Sequence, residues 1–336
     1  ALVCHMTGLV DGIDVASGGE LLIALDAGAD PHEVSFAGPA KTDGELTQAV
    51  AAGILVNVES AREIDILASV SSQLGLPARV AVRVNPDFEL KGSGMKMGGG
   101  PKPFGVDAET VPDLLRAIGE RNLSFEGFHV FAGSQNLKVD SIVEAQTKSY
   151  DLVRRLSERA PSPVRWLNLG GGFGVPYFPG DVPLELVPVV ENLNNIADAS
   201  RQDFGDARIV LELGRYLVAE AGVYVCRVID KKVSRGHRFL ITDGGLHHNL
   251  SASGNFGQVI RRNYPVHVGT GMDRPSTEVT SVVGPLCTPL DLLGDKMQLA
   301  VAEPGDLIVI RQSGAYGATA SPQSFLNHPA VVEVLV

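Results

Sequence analysis

The chain has 336 residues, 44% of them apolar and 20% charged, an ordinary globular composition long enough for one large domain and a smaller one. Its net charge of −11, pI near 5.2 and lack of any basic run argue against nucleic acid or an anionic membrane as partner. No apolar run reaches the ~18 residues of a membrane span, and no secretory leader pattern opens the chain. Three widely spaced cysteines outside CxxC pairs argue against a disulfide or zinc framework and make a cytoplasmic location the expectation.

Taken in chain order, short β-branched runs alternate with stretches of helical apolar spacing. A helical stretch at 2–6 comes first. Strands are then predicted at 12–16, 33–37, 54–58, 79–84, 125–131, 164–169 and 208–213. Helices are predicted at 19–27, 43–52, 61–74, 110–120, 141–158 and 184–197. An open doubly wound sheet and an eight-stranded (β/α) barrel both fit this rhythm. Seven strands are one short of a barrel, so the first strand is expected upstream of Ala1. From about Val218 the pattern turns to extended segments at 222–233, 238–242, 266–268, 278–283, 307–310 and 331–336, separated by Gly, Pro and Asn turns. That reads as an all-β module, giving domains 1–218 and 219–336.

Two strand ends carry the chemistry. Leu167–Gly174 reads LNLGGGFG, an apolar run that stops in Gly170, Gly171 and Gly172. Three glycines leave backbone N–H groups bare, which suits a phosphate; a tight turn is the plain alternative. The run Ile209–Leu211 ends in Glu212-Leu213-Gly214-Arg215-Tyr216. A carboxylate and a guanidinium at the end of a buried strand each need a partner. A protonated ring nitrogen for Glu212 and a phosphate for Arg215 would supply them.

In order, the chain carries IDVAS (13–17), SFAGPAK (35–41), AGSQ (132–135), LGGGFG (169–174), ELGRY (212–216), DGG (243–245), GPLC (284–287) and GAYG (314–317). It resembles, over essentially its whole length, the fold type III pyridoxal 5'-phosphate (PLP) decarboxylases, the group of diaminopimelate and ornithine decarboxylases. RVNPDFELKGSGMKMGGG and the closing HPAVVEVLV resemble its exosortase-associated branch. The resemblance implies an alanine racemase-like (β/α)8 TIM barrel, lacking its first strand here, plus a C-terminal all-β domain. It implies a carboxy-lyase that binds PLP and an amino-acid-type substrate, and works as a homodimer with shared active sites.

By the same resemblance, Gly170, Gly171, Gly172, Ser134, Arg215 and Tyr316 bind the cofactor phosphate, and Glu212 pairs with the pyridine nitrogen. Cys287 donates a proton in the partner subunit's site. Asp14 and Arg83 sit where the family has an acid at the barrel mouth and an active-site arginine. Three departures stand out. Phe131 replaces the ring-stacking histidine, with His129 two residues earlier on the same face. Thr288 replaces the acid that reads a distal amino group, and the next acid is Asp291. The Schiff-base lysine is not in this chain; the family places it upstream of Ala1. The nine lysines between Lys41 and Lys296 read as surface or loop residues, Lys41 being the tempting substitute. The pair His247-His248 lacks a third ligand, so no metal is expected. The Gly-rich loop 91–102 reads equally as a connection or a lid. A racemase of the same barrel type and a non-catalytic PLP-binding protein are the rival functions.

Overall fold

A computed structural model describes residues 1–90, 95–258 and 260–336. The chain divides into two compact units. The first comprises 1–173 and 185–212; the second comprises 174–184 and 213–334. The expected single cut at 218 is therefore not where the compact units divide. Segment 174–184 groups with the second unit because Val175 and Tyr177 join its apolar core, and Tyr177 stacks on Tyr264 at 4.9 Å.

The first unit is built on parallel strands. Ile13–Val15, Val34–Phe36, Leu55–Val58, Arg79–Asn85, Ser124–Val130, Trp166–Gly171 and Arg208–Glu212 pair in that order. A short eighth strand, Val106–Asp107, pairs beside Arg79–Asn85. Helices between successive strands cover the sheet, so Leu55–Val58 is buried at every position. Helix boundaries follow local chemistry. Thr42 and Glu45 close a capping box on Asp43–Ala52, and Gly53 ends that helix at φ 74°. Each fully buried Leu or Val contributes about 1.5–3 kcal/mol, so the core of Leu46, Leu67, Val80, Leu115 and Leu167 is a main source of stability. The hydrogen-bonded order runs from Ile13–Val15 to Arg208–Glu212. Side chains bridge the gap: Asp14 of the first strand shares a hydrogen bond with Glu212 of the last, and Glu33, just before the second strand, pairs with Arg208. The sheet is a nearly closed barrel.

The second unit is a six-stranded mixed sheet, ordered Val266–Val268, Leu307–Ile310, Tyr224–Ser234, His237–Thr242, Glu278–Val283 and Leu292–Leu299. The strand Leu292–Leu299 was not anticipated, and the extended segment expected at 331–336 is not a strand. Val332, Val334 and Leu335 are exposed, so that run has β-branched residues but no sheet to bury them.

Candidate active site

The first unit gathers its polar groups at the C-terminal ends of the parallel strands, where side chains meet inside the sheet's mouth. Glu212 ends the last strand. Its Oε1 accepts a hydrogen bond from Asn168 Nδ2 at 2.8 Å and lies 2.8 Å from His129 Nε2. His129 is 1% exposed, and neither of its ring nitrogens makes an aligned hydrogen bond among the described residues. The carboxyls of Asp14 and Glu212 share a hydrogen bond. Burial pushes Glu212 up, but the charge of His129 and the donors around it win and hold it at about 2. Burial and the Glu212 charge drive Asp14 well above the usual carboxylate range. The two carboxyls are thus held by a shared hydrogen bond, with Glu212 the more acidic of the two.

Asn168 was missed in the sequence. It is fully buried, its Oδ1 accepts the Gly170 N–H at 2.8 Å, and its Nδ2 holds Glu212. A polar residue inside the apolar run LNLG was the available signal.

The three glycines are required by close packing. A Cβ on Gly171 would overlap the Glu212 carbonyl, and one on Gly172 would overlap the Gly133 carbonyl. At Gly170, φ is 70° and a Cβ would lie 2.8 Å from the Phe131 ring. Phe131 thus packs over the first glycine. Ser134 belongs to the facing loop, whose strand Gly133–Ser134 pairs with Met95–Lys96. Asn136 N–H donates to Gly172 O at 2.9 Å, tying that loop to the glycines. Residues 91–94 of the proposed lid lie outside the described residues. The described part is fastened: Met97 and Gly98 donate to Ala132 O, and Gly99 N–H donates to Asn85 Oδ1.

Arg83 is placed deeper, donating to Glu59 Oε1 at 2.8 Å. Glu59 also accepts the Gly38 and Gly105 N–H groups. Lys41 is not a surface lysine. It is 3% exposed and donates to Glu63 at 2.9 Å and to Gly38 O at 2.7 Å. A buried lysine committed to a buried carboxylate is a structural ion pair, which removes Lys41 as a stand-in for the missing Schiff-base residue.

The second unit brings together Arg215 and Tyr316, the guanidinium carbon lying 4.4 Å from the ring centroid. Arg215 also donates to the Tyr177 hydroxyl at 3.3 Å, a partner the sequence reading missed. Cys287 is exposed. Thr288 beside it lines an open groove of about 620 Å³ with His237, Phe239, Pro289 and Lys296. Asp291 is 3% exposed, and its two oxygens accept the N–H groups of Leu246 and Leu286. It is buried, and each of its oxygens is already engaged by a backbone donor. His247 and His248 adjoin, but both His248 nitrogens are engaged, by the Tyr224 hydroxyl and the Pro329 carbonyl.

The first unit's mouth fits PLP. An ionised carboxylate answers a protonated pyridine nitrogen, and His129 Nδ1, without an aligned bond among the described residues, leaves polar capacity beside it. The profile of the pyridoxal-dependent decarboxylase pyridoxal binding domain matches residues 2–219. L-glutamyl-[BtrI acyl-carrier protein] decarboxylase of Niallia circulans is 39% identical over 332 residues, covering 96% of this chain and 77% of that protein. The Staphylococcus aureus 2-[(L-alanin-3-ylcarbamoyl)methyl]-2-hydroxybutanedioate decarboxylase is 31% identical, covering 95% and 80%. The crystal structure of Helicobacter pylori diaminopimelate decarboxylase complexed with L-lysine superposes with a TM-score of 0.83 at 29% identity, covering 96% and 78%. These relatives are decarboxylases, and the racemase reading falls away. The cofactor is PLP, the reaction is decarboxylation of an amino-acid-type substrate, and the chain belongs to the family of pyridoxal-dependent decarboxylases.

Proposed function

We propose that the substrate is an amino acid carried on a conjugate or a carrier protein rather than a free diamino acid. The observation that carries this is Thr288. A hydroxyl stands where the family resemblance places a distal-amine-reading acid, and the nearest acid, Asp291, is committed to two backbone N–H groups. A buried ammonium without a carboxylate costs several kcal/mol, so a free diamino acid is disfavoured. The 39% identity to a decarboxylase of a carrier-linked glutamyl group supports the same reading, as does the open groove beside Thr288, which leaves room for a long substituent. Steady-state assays decide: kcat/KM should be at least about 10²-fold higher on a glutamyl thioester than on free diaminopimelate, ornithine or lysine. A value above ~10⁴ M⁻¹s⁻¹ on any of the three would sink the proposal.

When bound, PLP supplies a ring that accepts the electrons released as the Cα–carboxylate bond breaks. In this reading Glu212 keeps the proton on the ring nitrogen, while Asn168 and His129 hold the Glu212 carboxylate. Following the family resemblance, the backbone of Gly170–Gly172 and Ser134 would hold the phosphate, and Arg215 and Tyr316 are the second unit's candidates for the same group. Phe131 would supply the apolar face for the ring, and Arg83 orients the mouth through Glu59. Cys287 returns a proton to the reacting carbon in the partner subunit, which makes the enzyme a homodimer with shared sites. Mixing Cys287→Ala with Glu212→Gln protein should restore part of the activity, because some heterodimers hold one intact site. No recovery once subunit exchange is demonstrated would refute sharing. The three unpaired cysteines support a cytoplasmic location; among the described residues, no helix is long and apolar enough to cross a membrane. Fractionating native cells would test it, and recovery outside the cytoplasm would overturn it.

A further inference from the structure

The turn that carries Cys287 is held from beneath. Asp291 Oδ1 accepts the Leu246 N–H at 2.6 Å and Oδ2 accepts the Leu286 N–H at 2.8 Å. One carboxylate therefore bridges the loop 243–246 to the segment that presents the thiol. The backbone adds to this: Gly284 N–H donates to Asp291 O at 3.1 Å, and Asp291 N–H donates to Thr288 O at 3.2 Å. Space adds to it as well. A Cβ on Gly245 or on Gly284 would collide with the Asp291 carboxylate. This accounts for one glycine in each of two separated motifs, Gly245 of DGG and Gly284 of GPLC, by one side chain. The carboxylate is 3% exposed and faces no side-chain cation within ion-pair distance among the described residues. Its two partners are backbone donors with no second acceptor among the described residues, so moving it would strand both N–H groups.

We propose that Asp291 is a positioning residue: it staples the Cys287 turn to the 243–246 loop and so fixes where the thiol points. The proposal rests on the reading of Cys287 as the proton donor. An acid that looked like a substrate reader becomes the anchor of the group next to the reaction. Cys287 acts on the substrate, and Asp291 acts on Cys287 through the N–H groups of Leu286, beside the thiol, and Leu246, in the facing loop.

The test uses the PLP-loaded enzyme and two readouts. One is turnover. The other is the rate of iodoacetamide alkylation of Cys287, resolved by peptide mass, with the exposed Cys4 as internal reference. In Asp291→Asn, one N–H loses its acceptor and faces an NH₂ group. The Cys287-to-Cys4 alkylation ratio should then shift by about tenfold, because the turn is no longer pinned. The kcat should fall by about 10²-fold, with KM within about threefold and PLP absorbance retained. Gly284→Ala places a methyl where that carboxylate sits and should reproduce both changes. A wild-type alkylation ratio and kcat in folded Asp291→Asn would overturn the proposal. So would reduced stability with an unchanged Cys287 ratio in the folded fraction, since that is a scaffold role alone. Cys287→Ala separates the two readings. Full turnover in that variant defeats the donor role itself, and the alkylation ratio in Asp291→Asn still judges the staple.

Discussion

The barrel mouth and the Cys287 turn each hold a carboxylate in a web of hydrogen bonds, and the two are held in opposite ways. Glu212 meets side chains: a histidine, an amide and a second carboxyl. Asp291 meets two backbone N–H groups. Glu212 is driven down to about 2, whereas burial drives Asp291 up despite its donors. Two neutral dipoles do not offset the loss of water around a charge as well as a nearby cation does. Side-chain partners can be changed one at a time, so the charge state of the mouth is tunable. The turn's carboxylate is fixed by main chain and serves geometry.

The largest expected effect breaks the mouth's ion-pair logic where it is most enclosed. Lys41 and Glu63 have side chains 1% and 2% exposed. Lys41→Met leaves Glu63 buried without its cation and should cost about 3–5 kcal/mol of unfolding free energy, measured by urea titration of the holoenzyme. Adding Glu63→Gln should recover most of it. A lone Lys41→Met of normal stability would contradict the structural ion pair.

Next in size is Glu212→Gln, which keeps the shape and removes the charge. PLP should stay bound, seen by its absorbance, while kcat falls by about 10²–10³-fold. Near-normal turnover would remove Glu212 from its role at the ring nitrogen.

The smallest effect sharpens the contrast through pH. Glu212 is depressed in the folded protein from an ordinary 4.5 to about 2. A depressed acid contributes stability above its unfolded value and loses it as pH falls through its folded value. The stability gap between wild type and Glu212→Gln should therefore be full near about pH 6 and shrink below about pH 4.5. Asp291 is raised, so the sign reverses: its contribution is greatest below an ordinary 3.8 and is lost as pH rises through its folded value. An Asp291→Asn difference that followed the Glu212 direction would contradict this contrast.

Most of the first unit was legible because its strands are buried on both faces and its helices carry an apolar stripe. The helices Asp43–Ala52 and Ala61–Leu74 fall on the expected residues. What stayed hidden was non-local. Strand Leu292–Leu299 contains Gly294 and Lys296 at φ 47°, and its pairing slips register, so no alternation was readable. The carboxylate pair of the mouth was half visible: the chain names Glu212 and Asp14, but Asn168 and the bond between the carboxyls depend on which strands close the sheet. Asp291 was visible as an acid near Cys287, and its purpose was not, because Leu246 approaches from 45 residues away.

The carbonyls behind Gly171 and Gly172 have a consequence for anyone wishing to redesign the strand end proposed to hold the phosphate. Since a methyl at either position would strike main chain, the floor of that site cannot be lettered differently to change its taste. Retuning has to be done from the opposite wall, the loop 131–136. A search for the glycine triplet alone would collect chains that share a floor plan, including chains that carry out no chemistry on it.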